Sequence, residues 1–147
     1  MAAEGATILI VDDEPPIRRL LRTTLAAHEY RIVEAANGAE ALSAMRHHRP
    51  DLVLLDLGLP DVDGLELIGR LRDLGHVPIV VLSSRGDEAA KVIALDAGAD
   101  DYVTKPFGAE ELMARLRAAL RHRLQEQGDE RLFASDDLKV DLVRRLV

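Results

Sequence analysis

The chain has no cysteine and no tryptophan, and it carries only two tyrosines and two phenylalanines. Without thiols it can form neither a disulfide framework nor a thiolate metal site. It lacks any apolar run near the ~20 residues that span a bilayer, and no basic-then-apolar leader opens it. A cytoplasmic protein is the expectation. Basic charge is in deficit, with 19 Lys and Arg against 26 Asp and Glu and a net charge of −7. Binding nucleic acid by neutralising phosphates is therefore not expected of these residues by themselves. No Gly-x-x-x-x-Gly-Lys phosphate loop, Gly-x-Gly-x-x-Gly fingerprint or Gly-x-Ser-x-Gly elbow occurs. His28, His47, His48, His76 and His122 show no metal-ligand spacing, and surface positions suit them.

What is present is the balance of a soluble globular domain, 48% apolar and 31% charged over 147 residues. Strand-like runs fall at about 7–11, 30–34, 51–56, 78–83 and 100–104, and the third and fourth are almost continuously apolar. Such runs suit parallel strands covered on both faces. Helical patterns lie between them. Ile17, Leu20, Leu21 and Leu25 share a face after Pro15-Pro16, a helix start that tolerates proline. Asn37 can cap a helix bearing Ala41, Leu42 and Met45, with Glu40 as its capping-box partner. Leu65, Leu67, Ile68 and Leu71 follow Gly64, whereas Val92, Ile93 and Leu95 precede Gly98. Leu112, Met113, Leu116 and Leu120 pattern the last helix. Alternating βα units predict an α/β fold, a doubly wound parallel sheet with helices on both faces.

Two of the apolar runs stop on acid. Ile8-Leu9-Ile10-Val11 meets Asp12-Asp13, and Leu52-Val53-Leu54-Leu55 meets Asp56. A third stretch, Asp100 to Thr104, runs into Lys105-Pro106. Parallel strands bring these ends to the carboxyl edge of one sheet, where open α/β sheets place their ligand sites. Crowded carboxylates repel unless a cation joins them or one keeps its proton. The set reads as a Mg²⁺ site with a reactive aspartate. Asp56, followed by the turn-forming Leu57-Gly58-Leu59-Pro60-Asp61, is the candidate nucleophile, able to form an acyl phosphate. Asp12 and Asp13 suit Mg²⁺, which takes a few carboxylates, retained waters and phosphate oxygens. Lys105 offers a cation for a phosphoryl oxygen, and Ser83, ending Val80-Val81-Leu82, offers a hydroxyl. Taken singly, each has a plainer explanation as a helix cap, turn residue or solvated lysine. Their joint occurrence at four strand ends favours the site.

Asp12-Asp13, Asp56 with Leu59-Pro60-Asp61 and Gly64, Ser83, and Lys105-Pro106-Phe107 resemble, in this order, the receiver domain of two-component response regulators. The resemblance runs from about Thr7 to Arg123. It implies a flavodoxin-like five-stranded sheet of order 2-1-3-4-5 with five helices, and phosphorylation of Asp56 by a sensor histidine kinase. It also implies Mg²⁺ held by Asp13, Asp56 and the Gly58 carbonyl, with Asp12 acting through water. Lys105 would pair with the phosphoryl group, and the Lys105-Pro106 bond would be cis. Ser83 would move toward the phosphoryl oxygen and let Tyr102 turn inward. Ser83 stands where Thr is commoner, and Ser84 where Ala is usual.

The stretch from Ala97 to Arg123 resembles the OmpR/PhoB class of DNA-binding regulators, whose fourth helix, fifth strand and fifth helix form a symmetric homodimer face. By that resemblance Lys91 pairs with Glu111, and Asp101 with Arg115, across a two-fold axis. A third pair would join Asp100 to the position of His122, which is cationic only when protonated. Leu57–Asp61 and Leu95–Tyr102 are similar to the potassium-transport regulators of that class. The expected division is a receiver at 1–123, a polar linker at 124–131, and at 132–147 the start of a winged-helix DNA-binding domain. DNA binding would then belong to the parent protein. Two other readings stay open. A stand-alone receiver would act by binding a protein partner. An aspartyl-phosphate phosphatase usually carries an acid two residues after its nucleophile, and Gly58 occupies that place.

Overall fold

The computed structural model describes residues 5–134. Strands β1 (Thr7–Val11), β2 (Arg31–Ala35), β3 (Leu52–Asp56), β4 (Ile79–Ser83) and β5 (Asp101–Thr104) alternate with five helices. These are α1 (Pro15–Ala26), α2 (Gly38–His48), α3 (Gly64–Leu74), α4 (Glu88–Ala97) and α5 (Ala109–Ala134). Neighbouring strands pair in parallel in the order β2-β1-β3-β4-β5, as expected.

Strand alternation explains why both faces are covered, since successive side chains point to opposite sides. Ile8 and Ile10 of β1, Leu52 and Leu54 of β3, and Val80 and Leu82 of β4 pack in one cluster with Leu21, Leu25, Leu112, Leu116 and Leu120. That cluster joins α1 and α5. The residues between them, Leu9, Val11, Val53, Leu55, Ile79 and Val81, pack with Met45, Leu67, Ile68, Leu71 and Ala94. That second cluster joins α2, α3 and α4. Every residue of β3 and of β4 is buried, so their acidic and hydroxyl ends emerge from apolar surroundings.

The helix starts follow their caps. Asn37 Oδ1 accepts from Glu40 N at 2.9 Å, and Glu40 Oε1 accepts in return from Ala36 N at 2.8 Å. Asp63 caps α3 through Leu65 N, and Asp87 caps α4 through Ala90 N. Gly64 is required by close approach. A Cβ there would stand 2.7 Å from both Cα and O of Leu57, the residue after Asp56.

Three expectations change. Leu20 shares the α1 stripe in sequence yet is 54% exposed, because Leu21 and Leu25 suffice to seat α1. Val92, Ile93 and Leu95 do not seat α4. All three are exposed, and the small Ala94 packs on the sheet instead. The backbone of α5 continues to Ala134, through the span read as a linker or a fraying helix end and over Leu132-Phe133-Ala134, where alternation suggests a strand. Leu124, Gln125, Glu126 and Gln127 are good helix formers, and no proline interrupts them. The remainder of the expected second domain, 135–147, lies outside the described residues.

Candidate functional site

Strand order reverses between β1 and β3, and the site lies at the carboxyl ends beside that switch point. β1 leads into Asp12-Asp13-Glu14, β3 ends on Asp56, and β5 leads into Lys105. Carboxylate oxygens of Asp12, Asp13, Glu14 and Asp56 lie within 4.8 Å of one another. Lys105 Nζ stands 3.6 Å from Asp12 Oδ2 and 3.6 Å from Asp56 Oδ1. One ammonium therefore pairs with the two buried acids of the four.

Burial divides their roles. Asp12 is 1% exposed and Asp56 9%, whereas Asp13 and Glu14 are open to water. Asp12 is braced on every side but one. Its N–H donates to Ala35 O at 3.1 Å, its carbonyl accepts from Arg18 at 2.7 Å, and its Oδ1 accepts from Glu14 N at 2.9 Å. Its Oδ2 is buried with no hydrogen-bond donor, the ion pair with Lys105 being longer than such a bond. Burial first, and repulsion from Asp56 and Glu14 after it, push the Asp12 carboxyl above the ordinary Asp range. The Glu14 N–H and Lys105 oppose that push. A buried acceptor left without a donor is costly, and a hard oxygen in that state suits a divalent cation. The donor set fits Mg²⁺, with few carboxylates and open sides for retained waters.

A groove of about 560 Å³ runs from these acids toward α4, lined by Asp56, Gly58, Ser83, Arg85, Ile93, Tyr102 and Lys105 among others. Gly58 N donates to Asp56 Oδ1 at 3.4 Å, which sets the loop after β3 beside the acid. Ser83 is 8% exposed, and its Oγ accepts from Arg85 N at 3.2 Å. The Lys105-Pro106 bond is cis. Tyr102 is already buried in this structure, with its hydroxyl donating to Arg85 O at 2.6 Å. Its ring packs with the α2–α3–α4 cluster.

Asp100, Asp101, Glu111 and Arg115, four of the charges expected to pair across a two-fold axis, have partners within the chain. Arg115 contacts both oxygens of Asp101, at 3.0 and 3.1 Å, and Glu111 Oε2 at 3.1 Å. β5 and α5 are adjacent, so a long guanidinium reaches both. Asp100 also has partners inside the chain. It is held by Arg72 of α3 and by Ile79 N, the latter at 2.7 Å. Lys91 is half-buried on α4, and His122 is exposed near the end of the described α5 side chains. Two participants escaped the sequence reading. Glu14 joins the acid cluster, and its place directly after Asp12-Asp13 was the available signal. Arg18 braces the Asp12 carbonyl, which no spacing reveals.

The fold is a doubly wound parallel sheet whose carboxyl edge gathers an acid set, of a donor type suited to a divalent cation, around Asp56. Residues 8–117 match the response regulator receiver domain, and the chain belongs to that family. It is similar to the transcriptional regulatory protein KdpE of Mycobacterium tuberculosis (strain CDC 1551 / Oshkosh), 48% identical over 141 residues, 95% of this chain and 62% of that protein. It is likewise similar to the KDP operon transcriptional regulatory protein KdpE of Escherichia coli (strain K12), 49% identical over 140 residues, with the same two shares of 95% and 62%. These relatives are OmpR/PhoB-class response regulators, and the chain spans about 62% of their length. Among solved structures, the BeF3-activated N-terminal receiver domain of Klebsiella pneumoniae RstA aligns with a TM-score of 0.75 at 36% identity. That alignment covers 78% of this chain and 98% of that one. No helix among the described residues is long and apolar enough to cross a membrane.

Proposed function

We propose that this chain is the phosphorylation-controlled part of a cytoplasmic transcriptional response regulator, with Asp56 as the phosphoacceptor. The observation that carries this reading is the placement of Lys105 between Asp12 and Asp56, beside a buried Asp12 oxygen that has no hydrogen-bond donor. An Asp56 carboxylate oxygen attacks the phosphorus of a phosphohistidine on a sensor kinase. The new P–O bond forms as the P–N bond breaks, and the departing imidazole takes up a proton. Mg²⁺, held by Asp13, Asp56 and the Gly58 carbonyl with Asp12 acting through water, would neutralise the meeting anions. Lys105 pairs with one phosphoryl oxygen, and the Ser83 hydroxyl leaves Arg85 N for another. The chain is thus a phosphoacceptor rather than a turnover enzyme. Gly58 supports this, because no acid two residues after Asp56 is present to protonate a leaving alcohol.

Signal output would run through α4, β5 and α5. Exposed Val92, Ile93 and Leu95 on α4 supply an apolar patch beside Lys91, Asp101, Glu111 and Arg115. In a homodimer, Arg115 would exchange its in-chain Asp101 for the same residue of a second copy. Exposed ion pairs contribute under about 1 kcal/mol each, so they set register more than affinity. Reversing a 1:99 population requires about 5.5 kcal/mol of preference for the phosphorylated state. DNA binding would reside in a winged-helix effector beyond the described residues, and the KdpE relatives favour control of potassium transport.

The test is phosphotransfer from labelled acetyl phosphate with Mg²⁺, to the wild type and to Asp56→Asn. The wild type is expected to form a base-labile phosphoprotein, and the variant none. Labelling that survives the substitution unchanged overturns the assignment.

A further inference from the structure

One acid of the loop after β3 takes no part in the acid cluster. Asp61 turns away from Asp56 and reaches the start of α2, where Oδ1 accepts from Gly38 N at 2.8 Å and Oδ2 from Ala39 N at 3.1 Å. A helix leaves its first N–H groups without partners inside the helix. Here Asn37 satisfies Glu40 N, and Asp61 satisfies the two N–H groups before it from more than twenty residues away in sequence. The bonds are charge-assisted and lie at the positive end of the helix dipole. Those backbone donors hold the Asp61 carboxyl below the usual carboxylate range.

The contact is also steric. A Cβ on Gly38 would lie 2.3 Å from Val62 Cγ1, so with any larger residue the Val62 side chain must shift off the first turn of α2. At its other end the loop is pressed by Gly64 against Leu57. The stretch that carries Gly58 therefore runs between two fixed points, Leu57 against Gly64 and Asp61-Val62 against Gly38-Ala39.

We infer that Asp61 is a positioning residue for the cation site: by clamping the β3–α3 loop to the N-terminus of α2, it holds Gly58 beside Asp56 before any cation arrives. The inference rests on the Mg²⁺ site proposed above. Its physical basis is preorganisation, since a loop already ordered does not lose its freedom when the ion binds. It also makes α2, which contributes no ligand, part of the machinery that sets metal affinity.

The experiment is a direct Mg²⁺ titration of the whole chain without phosphodonor, read on the Gly58 amide by NMR, with a dispersed spectrum required of every variant. Asp61→Ala is expected to weaken binding about tenfold, the lower end of what supporting residues around metal sites contribute. Asp61→Asn keeps one acceptor and should fall between Asp61→Ala and the wild type. Asn37→Ala removes the other cap of the same helix without touching the loop, and it should bind Mg²⁺ as the wild type does. Wild-type affinity in Asp61→Ala overturns the inference and leaves the phosphoacceptor reading standing. An equal loss in Asn37→Ala also overturns it, because the effect would then run through helix stability alone. A wild-type protein that takes up no Mg²⁺ defeats both.

Discussion

The two edges of the sheet carry aspartates next to strand ends, and they treat them in opposite ways. At the amino edge Asp51 precedes β3 and accepts from Thr7 N of neighbouring β1 at 2.8 Å. Asp100 precedes β5 and accepts from Ile79 N of neighbouring β4 at 2.7 Å. Each acid thus satisfies the first N–H of an adjacent strand. Arg72 completes the arrangement for Asp100, bonding its carboxylate together with the carbonyls of Val77 and Gly98. At the carboxyl edge four acids gather, two of them share Lys105, and a buried oxygen of Asp12 has no hydrogen-bond donor. The same residue type is structural where its acceptors are met and chemical where they are left waiting. A protein keeps unmet buried acceptors at a cost in stability, and such places are where function is to be sought.

That contrast can be broken from either side. The largest effect is expected from Lys105→Met, which removes the cation that pairs with both Asp12 and Asp56. Phosphorylation of Asp56 by acetyl phosphate should slow about 10²-fold, the scale of losing one preorganised charge-stabilising donor. Its thermal unfolding should show no loss comparable to that of Arg72→Ala. Kinetics of wild-type scale in Lys105→Met would mean that the ammonium is only a surface charge.

Arg72→Ala should do the reverse. Removing a guanidinium that bonds one carboxylate and two carbonyls should cost about 1.5–3 kcal/mol, the range for hydrogen bonds to charged groups. Chemical denaturation measures this, and Mg²⁺-dependent labelling of the folded protein should stay unchanged. A variant as stable as the wild type would show that the amino-edge clamp contributes nothing net.

The smallest change is expected from Asp12→Asn, and it has the opposite sign. Burial and Asp56 raise the Asp12 carboxyl, so the folded state holds that proton more tightly than the unfolded chain does. Ionised Asp12 therefore subtracts stability at neutral pH. The variant should gain about 1 kcal/mol in the absence of Mg²⁺, the lower end of the cost of an unmet buried acceptor. Its advantage should shrink as pH falls through the raised Asp12 range, where the wild type takes up a proton and loses the same charge. A melting temperature below that of the wild type at neutral pH would contradict the account.

How much of this was legible beforehand differs by element. The sheet was readable because fully buried parallel strands have to be apolar throughout, and β3 and β4 are. The acid pocket was readable because strand ends are local features, and topology gathers them at one edge. Exposure on α1 and α4 was not. Leu20 and Ile93 satisfy a helical stripe in sequence, but burial depends on how close the helix sits to the sheet, and that is set by its other residues. The fate of Asp100 was equally hidden, since Arg72 lies 28 residues away and on another helix.

The sequence by itself determined the α/β alternation, the helix cap at Asn37, the helix that follows Gly64, and the residues that end their strands on acid, hydroxyl or the approach to lysine. All of these follow from periodicity and from chemistry confined to a few neighbouring positions. Only the tertiary structure decided which acids are spent on backbone donors and which face the pocket. Asp51, Asp61 and Asp100 are diverted by N–H groups that folding brings to them from distant segments, whereas Asp12 and Asp56 receive backbone donors only from residues two positions on and keep oxygens facing Lys105. A carboxylate's role is set by the donors within reach, and reach is a property of the fold.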